Sequence, residues 1–335
     1  MKKTAAITTA VLLVLGALVP KDLAGQSMDK RSLALVLSAG PGFFNGGDLS
    51  QVRRDWNRFF TANADDPEAG FDWSQLNSGL EFGAEVIYYI SDRIALSLGF
   101  EYLKKAIAGQ VDLTTSYTEQ GTVDSYLYKY NNKSILAFSP INKISTMPLT
   151  LNAYYFLPVM PHFKSFLKVG LAFYVSRLQS AYCHDLEETE ELELYDPDDG
   201  SLLDIYSTGE KYTNRYYDSL KSKSLGFLGG LGFEIDLSPS LGLMIEAIYR
   251  KADLKNWKGS ASEYLTYIET YGSKSEGYTQ NTENENNSYS GQLMYITYSD
   301  GTSIIGLAGP DQMNVRPAAI RFSGPLLRFS FKIRF

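Results

Sequence analysis

The sequence predicts an all-β fold, an antiparallel up-and-down transmembrane β-barrel of about eight strands, and three observations predict it. Eight segments alternate between apolar residues and polar or small ones. The connections between them alternate between short and long. No stretch beyond the N-terminal leader is apolar for long enough to cross a bilayer as a helix, so membrane insertion requires a closed barrel.

The 335-residue chain begins with Lys2 and Lys3, followed by an apolar run from Ala5 to Val19, the layout of an export signal. Pro20, Lys21 and Asp22 break that run before it could span a membrane. Cleavage is expected between Ala24 and Gln26, giving a signal peptide over 1–25 and one barrel domain over 26–335. Cys183 is the only cysteine, which excludes an intramolecular disulfide and a lipid anchor after the signal.

The last segment is the clearest strand: Leu327, Phe329, Phe331, Ile333 and Phe335 alternate with Arg328, Ser330, Lys332 and Arg334. The same period of two recurs from Leu33 to Leu37, Leu80 to Ile90, Ile94 to Tyr102, Met147 to Tyr155, Leu167 to Val175, Leu225 to Ile235 and Leu241 to Tyr249. With the terminal strand these make eight, an even number as single-chain bacterial barrels have. Ser91-Asp92, Pro158 to His162 and Ser238-Pro239-Ser240 read as tight periplasmic turns. The other connections, about 42 to 78, 105 to 144, 178 to 222 and 252 to 316, read as long extracellular loops, and both chain ends then fall in the periplasm. Ten strands is the alternative, if Ser299-Asp300-Gly301 turns a further membrane hairpin. Tyr-rich stretches at Tyr126 to Tyr130 and Tyr264 to Tyr271 suggest hairpins that prolong the strands above the membrane and suit adhesion, while Asn281 to Ser290 reads as a mobile tip.

Parity sends Glu81, Glu85, Glu101, Glu234, Asp236 and Glu246 into the lumen with Arg93, Lys164, Lys168, Arg250, Arg328, Lys332 and Arg334. Charges in a poorly hydrated interior must be paired, so a salt-bridged lumen is expected. Gly83, Gly99, Gly170, Gly226, Gly230, Gly232 and Gly242 share that face and leave room for long side chains. The arrangement fits a filled structural barrel, with a proton or solute path as the alternative. Outward Tyr88, Tyr102, Tyr155 and Tyr249 lie near strand ends and form an expected aromatic girdle at the lipid interfaces.

Removing Lys2, Lys3, Lys21 and Asp22 with the signal takes the formal charge from −7 to −9. The segment 184–221 accounts for the excess, with twelve acidic residues against Lys211, Arg215 and Lys221. It reads as a solvated acidic loop, with a divalent cation or a basic partner as the ligand it could attract. Asp196-Pro197-Asp198-Asp199-Gly200 reads as a turn, because it lacks the spacing of a calcium loop. His162 sits in a periplasmic turn, and His184 beside Ser180 and Asp185 is the best nominal catalytic group, although nearness in sequence does not make a triad. No phosphate loop, zinc spacing or nucleic-acid signature is present, so no catalytic residue, cofactor or metal is assigned, and the acidic balance argues against DNA or RNA.

The signal peptide, the eight alternating segments, the short-turn and long-loop rhythm and the terminal aromatic strand together resemble the small outer-membrane barrels of the OmpA, OmpX and OmpW type. The resemblance implies a bacterial outer-membrane location, with outer-membrane lipid and the barrel assembly machinery as partners. Arg328, Ser330, Ile333 and Phe335 resemble the family's assembly signal, with Ser330 where the pattern usually has Gly. Because the chain ends at the barrel, the peptidoglycan-binding domain of the full OmpA type is not expected. What the resemblance implies about function is a structural and surface-interaction role through long extracellular loops. The alternatives are an OmpW-like narrow pathway for small or apolar solutes and, further off, a hydrolytic site at the outer rim.

Overall fold

Side chains of a β-strand point alternately to its two faces, so a sheet closed on itself sorts every other residue into its interior. The computed structural model describes residues 33–63, 71–73, 78–124, 126–298, 303–308 and 315–335; the expected signal peptide over 1–25 and the expected turn at Ser299-Asp300-Gly301 lie outside them. The elements are β1 (Leu33–Phe43), α1 (Asp48–Asn63), β2 (Phe71–Trp73), β3 (Ser78–Tyr89), β4 (Ile94–Val123), β5 (Tyr126–Met160), β6 (Phe163–Tyr195), β7 (Leu202–Asp236) and β8 (Leu241–Leu254). They continue with β9 (Lys258–Ser273), β10 (Gly277–Thr297), β11 (Ser303–Ala308), β12 (Val315–Pro317), β13 (Ile320–Arg321) and β14 (Gly324–Arg334).

Eight of these strands form a closed antiparallel ring in the order β1, β3, β4, β5, β6, β7, β8, β14 and back to β1. This is the expected membrane-spanning barrel. Its outer surface is greasy on every strand, with Leu98 66%, Val169 62% and Leu225 71% exposed, a surface that only lipid covers without cost. The ring settles the strand number at eight: β9 and β10 pair above it and do not join it.

The segments read as long loops are mostly strand. A tilted strand needs about 9–11 residues to cross a bilayer, yet β4, β5, β6 and β7 run for 30, 35, 33 and 35 residues. Their excess rises above the short half of the ring as a second storey. There β7 exchanges its neighbour: Gly226 to Asp236 pair with β8, and Tyr206 to Lys221 pair with β9. The sheet then continues through β10 to β11. Tyr126 to Tyr130 and Tyr264 to Tyr271 lie in these extensions. Asn281 to Ser290, expected as a tip, is instead paired residue for residue with β9. Polar side chains do not prevent a hairpin whose facing backbone groups pair across the ladder.

The segment expected as a loop from 42 to 78 contains α1. Gly46 and Gly47 adopt positive φ, +71° and +59°, and turn the chain from β1 into the helix. Asp48 then fixes the helix to the distal chain. Its carboxylate accepts from Arg316 Nη1 and Nη2 at 2.6 and 2.7 Å and from the Ala319 N–H at 2.7 Å. Arg316 also stacks over Tyr295 at 4.2 Å. At the helix's middle, Asp55 accepts from the Ser303 hydroxyl on β11.

Candidate functional site

The even-numbered residues of β6 give the order of the interior from the short-turn end toward the long hairpins: Phe166, Lys168, Ala172, Tyr174, Leu178, then Ser180, Tyr182 and His184. They run through successive layers, and the last three share the uppermost. At the base, Glu234 pairs with Lys332 and Arg334, Arg334 also holds Asp236, and Lys164 lies 3.7 Å from Asp236 at the rim. Lys332 also donates to the Tyr89 hydroxyl at 3.1 Å. Beside these charges Tyr154 stacks on Phe156, and Phe166 packs tilted against both, with ring centroids 5.5 to 5.6 Å apart.

Above them lies a belt of buried ions. Lys168 Nζ is 2.9 Å from Glu85 and 3.4 Å from Glu246. Glu85 also accepts from Asn152 Nδ2 at 2.9 Å, the Tyr154 hydroxyl at 2.8 Å and the Ser97 hydroxyl. Arg328 joins Glu101 and Glu246, and Arg250 binds both oxygens of Glu81. Of the thirteen charges that parity sends inward, the structure draws twelve into ion pairs, six acids with six bases. Arg93 is the correction. It stands one residue before β4 begins and is exposed, because parity loses its meaning where the chain leaves the ladder.

Glycine makes the room. A Cβ on Gly99 would meet the Thr150 hydroxyl at 2.5 Å, one on Gly226 would meet the Tyr174 ring at 2.8 Å, and one on Gly170 would collide with Asn152. Ser330 is buried in this lumen, whereas Ile333 is half-buried and Phe335 is 67% exposed beyond the last strand. Tyr88 and Tyr155 mark the short-turn end of the outer surface, and Tyr102 and Tyr249 stand several residues further up their strands, all exposed.

Over the ions sits an apolar seal that includes Leu103, Ile107, Ile144, Leu178, Leu220, Leu254, Trp257 and Phe322, all buried. The Trp257 indole N–H donates to the Leu254 carbonyl at 2.9 Å, so its polar atom is satisfied inside the seal.

Above the seal, α1 and the extended strands enclose a vestibule of about 480 Å³. Its wall is aromatic. Trp56 stacks on Phe138 (6.1 Å), Phe138 leans on Tyr182 (5.7 Å) and His184 (6.1 Å), and Tyr182 lies flat against Tyr216 (4.9 Å, 9°). Asn214 donates to Glu263 at 2.7 Å, and Tyr289 donates to the other oxygen of Glu263 at 2.8 Å. Asp218 is nine-tenths buried and accepts from the Ser180 N–H at 2.7 Å. The β6–β7 pairing lapses at this point, between Leu178↔Leu220 and Ala181↔Tyr217, without a change of register, and the carboxylate supplies the partner that the ladder withholds. Burial pushes the Asp218 carboxyl up to about 6. Burial also pushes the Tyr182 phenol up to about 12 and lowers His184, against the opposing pull of Asp185.

The nominal Ser180, His184 and Asp185 set is not assembled. Ser180 and His184 line the vestibule, but Asp185 stands at odd parity on the opposite face, bonded to Thr213 and Cys183. The acids of 184–221 are spread along a paired hairpin, where Lys211 and Lys129 reach Glu187 and Glu193 at 3.4 and 3.3 Å. Asp196 to Gly200 form its turn, with Asp196 accepting from the Asp198 N–H and Gly200 at φ +69°. Sequence reasoning missed the vestibule because it stopped following parity where the apolar outer face ended. Extended upward, the same rule would have placed Tyr182, His184, Asn214, Tyr216 and Asp218 on one inner wall. The helix also had a signal, Leu49, Val52 and Trp56 at helical spacing after Asp48.

No family model matches this chain, and no curated protein matches it. Among solved structures it is similar to a major outer membrane protein from Thermus thermophilus, at 14% identity over 90% of this chain and 99% of that one, with a TM-score of 0.26. It is also similar to the outer membrane protease OmpT from Escherichia coli (8% identity, 93% and 99% covered, TM-score 0.31) and to CarO from Acinetobacter baumannii (9%, 92% and 100%, TM-score 0.20). At such TM-scores these likenesses carry no weight in assigning a role, which rests on the chain's own geometry.

Proposed function

We propose that this protein is a bacterial outer-membrane barrel with a closed lumen, whose work is done by the sheet and vestibule it raises above the membrane. The observation that carries this reading is the sequence of interior layers. Paired ions, aromatic rings and an apolar seal succeed one another along the lumen, and a hollow lined by Trp56, Phe138, Tyr182 and Tyr216 lies above the seal. An eight-stranded barrel encloses little more than its own side chains can fill. Both ends of the described barrel, Leu33 and Arg334, lie at the side of the short turns, which is the periplasmic side in this architecture. The outer apolar band meets outer-membrane lipid, and the Arg328, Ser330, Ile333 and Phe335 set serves recognition by the assembly machinery. The acidic β6–β7 hairpin is the face offered to a basic partner or to divalent cations.

The test is single-channel recording of the refolded protein in planar bilayers, alone and with Glu187 to Lys211 replaced by a short Gly/Ser turn. Silence from both supports the closed barrel. Reproducible conductance, above all if the shortened hairpin enlarges it, overturns this reading in favour of a narrow solute pathway.

A further inference from the structure

The vestibule brings together three features that suit a ligand. Asp218 is nine-tenths buried, yet it forms no ion pair among the described residues and is held by Ser180, through its N–H at 2.7 Å and its side chain. Asn214 is 7% exposed and lines the hollow. Its Nδ2 is committed to Glu263, which fixes the orientation of the amide, and its Oδ1 has no hydrogen-bond partner among the described residues. A buried acceptor left in that state costs about 1–3 kcal/mol, so a ligand that supplies a donor there relieves that cost. The third feature is the run of ring faces from Trp56 through Phe138 to Tyr182 and Tyr216.

Charge decides between ligand classes. Asp218 and Glu263 face one lining guanidinium, Arg53, and burial keeps His184 toward its neutral form, so the wall carries a net negative charge. The acidic hairpin above extends the same sign outward and would concentrate cations at the mouth. Ring faces attract cations through their quadrupole, most strongly in desolvated sites. The volume, about 480 Å³, falls in the usual range for small-molecule sites, ~300–1,000 Å³.

We propose that the vestibule is a binding site for a small planar aromatic ammonium ion, its ring held against Phe138 and Tyr182 and its N–H groups directed to Asp218 and Asn214. The site is reached from outside the cell and is independent of whether the lumen conducts.

The experiment is calorimetric titration of the full chain in lipid nanodiscs at pH 7.5, with empty nanodiscs subtracted. The probes are 1-naphthylmethylammonium, its neutral counterpart 1-naphthalenemethanol, and cyclohexylmethylammonium, which keeps the charge and loses the aromatic face. Saturable one-to-one binding of the aromatic cation is expected, tighter than either control by about tenfold or more, equivalent to roughly 1.4 kcal/mol. Asp218→Asn and Phe138→Leu should each weaken it by about tenfold, while Lys164→Gln at the far rim should leave it unchanged. Glu263→Gln provides a second charge variant should Asp218→Asn fail to refold. Equal affinity for the neutral alcohol would overturn the charge assignment. Absence of saturable binding, or wild-type affinity in every folded vestibule variant, would overturn the site.

Discussion

Lys168 on β6 reaches across the lumen to Glu85 on β3, with its Nζ 2.9 Å from Oε2, and the same nitrogen lies 3.4 Å from Glu246 on β8. Three strands that are not neighbours in the ring are thereby tied at one atom. All three side chains are less than a tenth exposed, so the tie matters mainly through what its loss leaves behind.

Lys168→Met should leave two carboxylates without their shared cation in a water-poor interior. Breaking a buried pair from one side costs about 3–5 kcal/mol, read as a lower urea midpoint for unfolding of the refolded barrel. The triple variant Lys168→Met, Glu85→Gln, Glu246→Gln should recover most of the loss, because no charge is then stranded. Wild-type stability in Lys168→Met alone would show that the network does not hold the strands.

Asp218 should make the vestibule wall less stable at neutral pH than in mild acid. Its folded pKa, about 6, lies above the ordinary value of 3.8. The native state therefore holds a proton that the unfolded chain releases, and the penalty is present above pH 6 and relieved as pH falls toward 4. Asp218→Asn should raise the thermal midpoint at pH 7.5, by the equivalent of roughly 1–3 kcal/mol, and leave it unchanged near pH 4. A midpoint that falls at pH 7.5 would refute this.

Asp48 should govern the docking of α1 with the opposite sign. Burial raises its pKa, but the hydrogen bonds from Arg316 and the Ala319 N–H, with the charges of Arg316 and Arg321, outweigh burial and hold it below 3.8. Its contribution is therefore present above pH 3.8 and lost as pH falls through the lower folded value. Asp48→Asn should speed hydrogen exchange of the α1 amides at pH 7 while exchange in the ring strands stays unchanged. Equal exchange in α1 would mean that the Arg316 tie is dispensable.

Deleting Phe335 should lower the amount of barrel assembled in cells but not the urea midpoint of protein refolded in detergent. Its ring is exposed, and its N–H gives one hydrogen bond to the Leu33 carbonyl at the seam between β1 and β14. Normal assembly after the deletion would remove the terminal aromatic from the recognition motif.

Several features could be read directly from the chain. Alternation in Leu327 to Phe335 and in the seven other segments located every ring strand, because a closed sheet turns a period of two into an inside and an outside. The turn at Ser91-Asp92 and that at Ser238 to Ser240 were legible for the same reason, since the period stops there. The extensions were harder. Above the membrane both faces of the sheet are polar or Tyr-rich, the contrast between faces fades, and Asn281 to Ser290 looks like coil although it stays in register with β9 along its whole length.

The sequence by itself located the eight ring strands and the inward parity of Lys168, Glu85, Glu246 and Arg328, since these depend on local period and composition. Tertiary structure decided which charges meet, that Arg93 stays outside, that β9 replaces β8 beside β7, and that α1 closes a vestibule around Asp218 and Phe138. Period fixes the direction in which a side chain points. The stagger and closure of the sheet fix what lies opposite it, and that depends on all the strands at once.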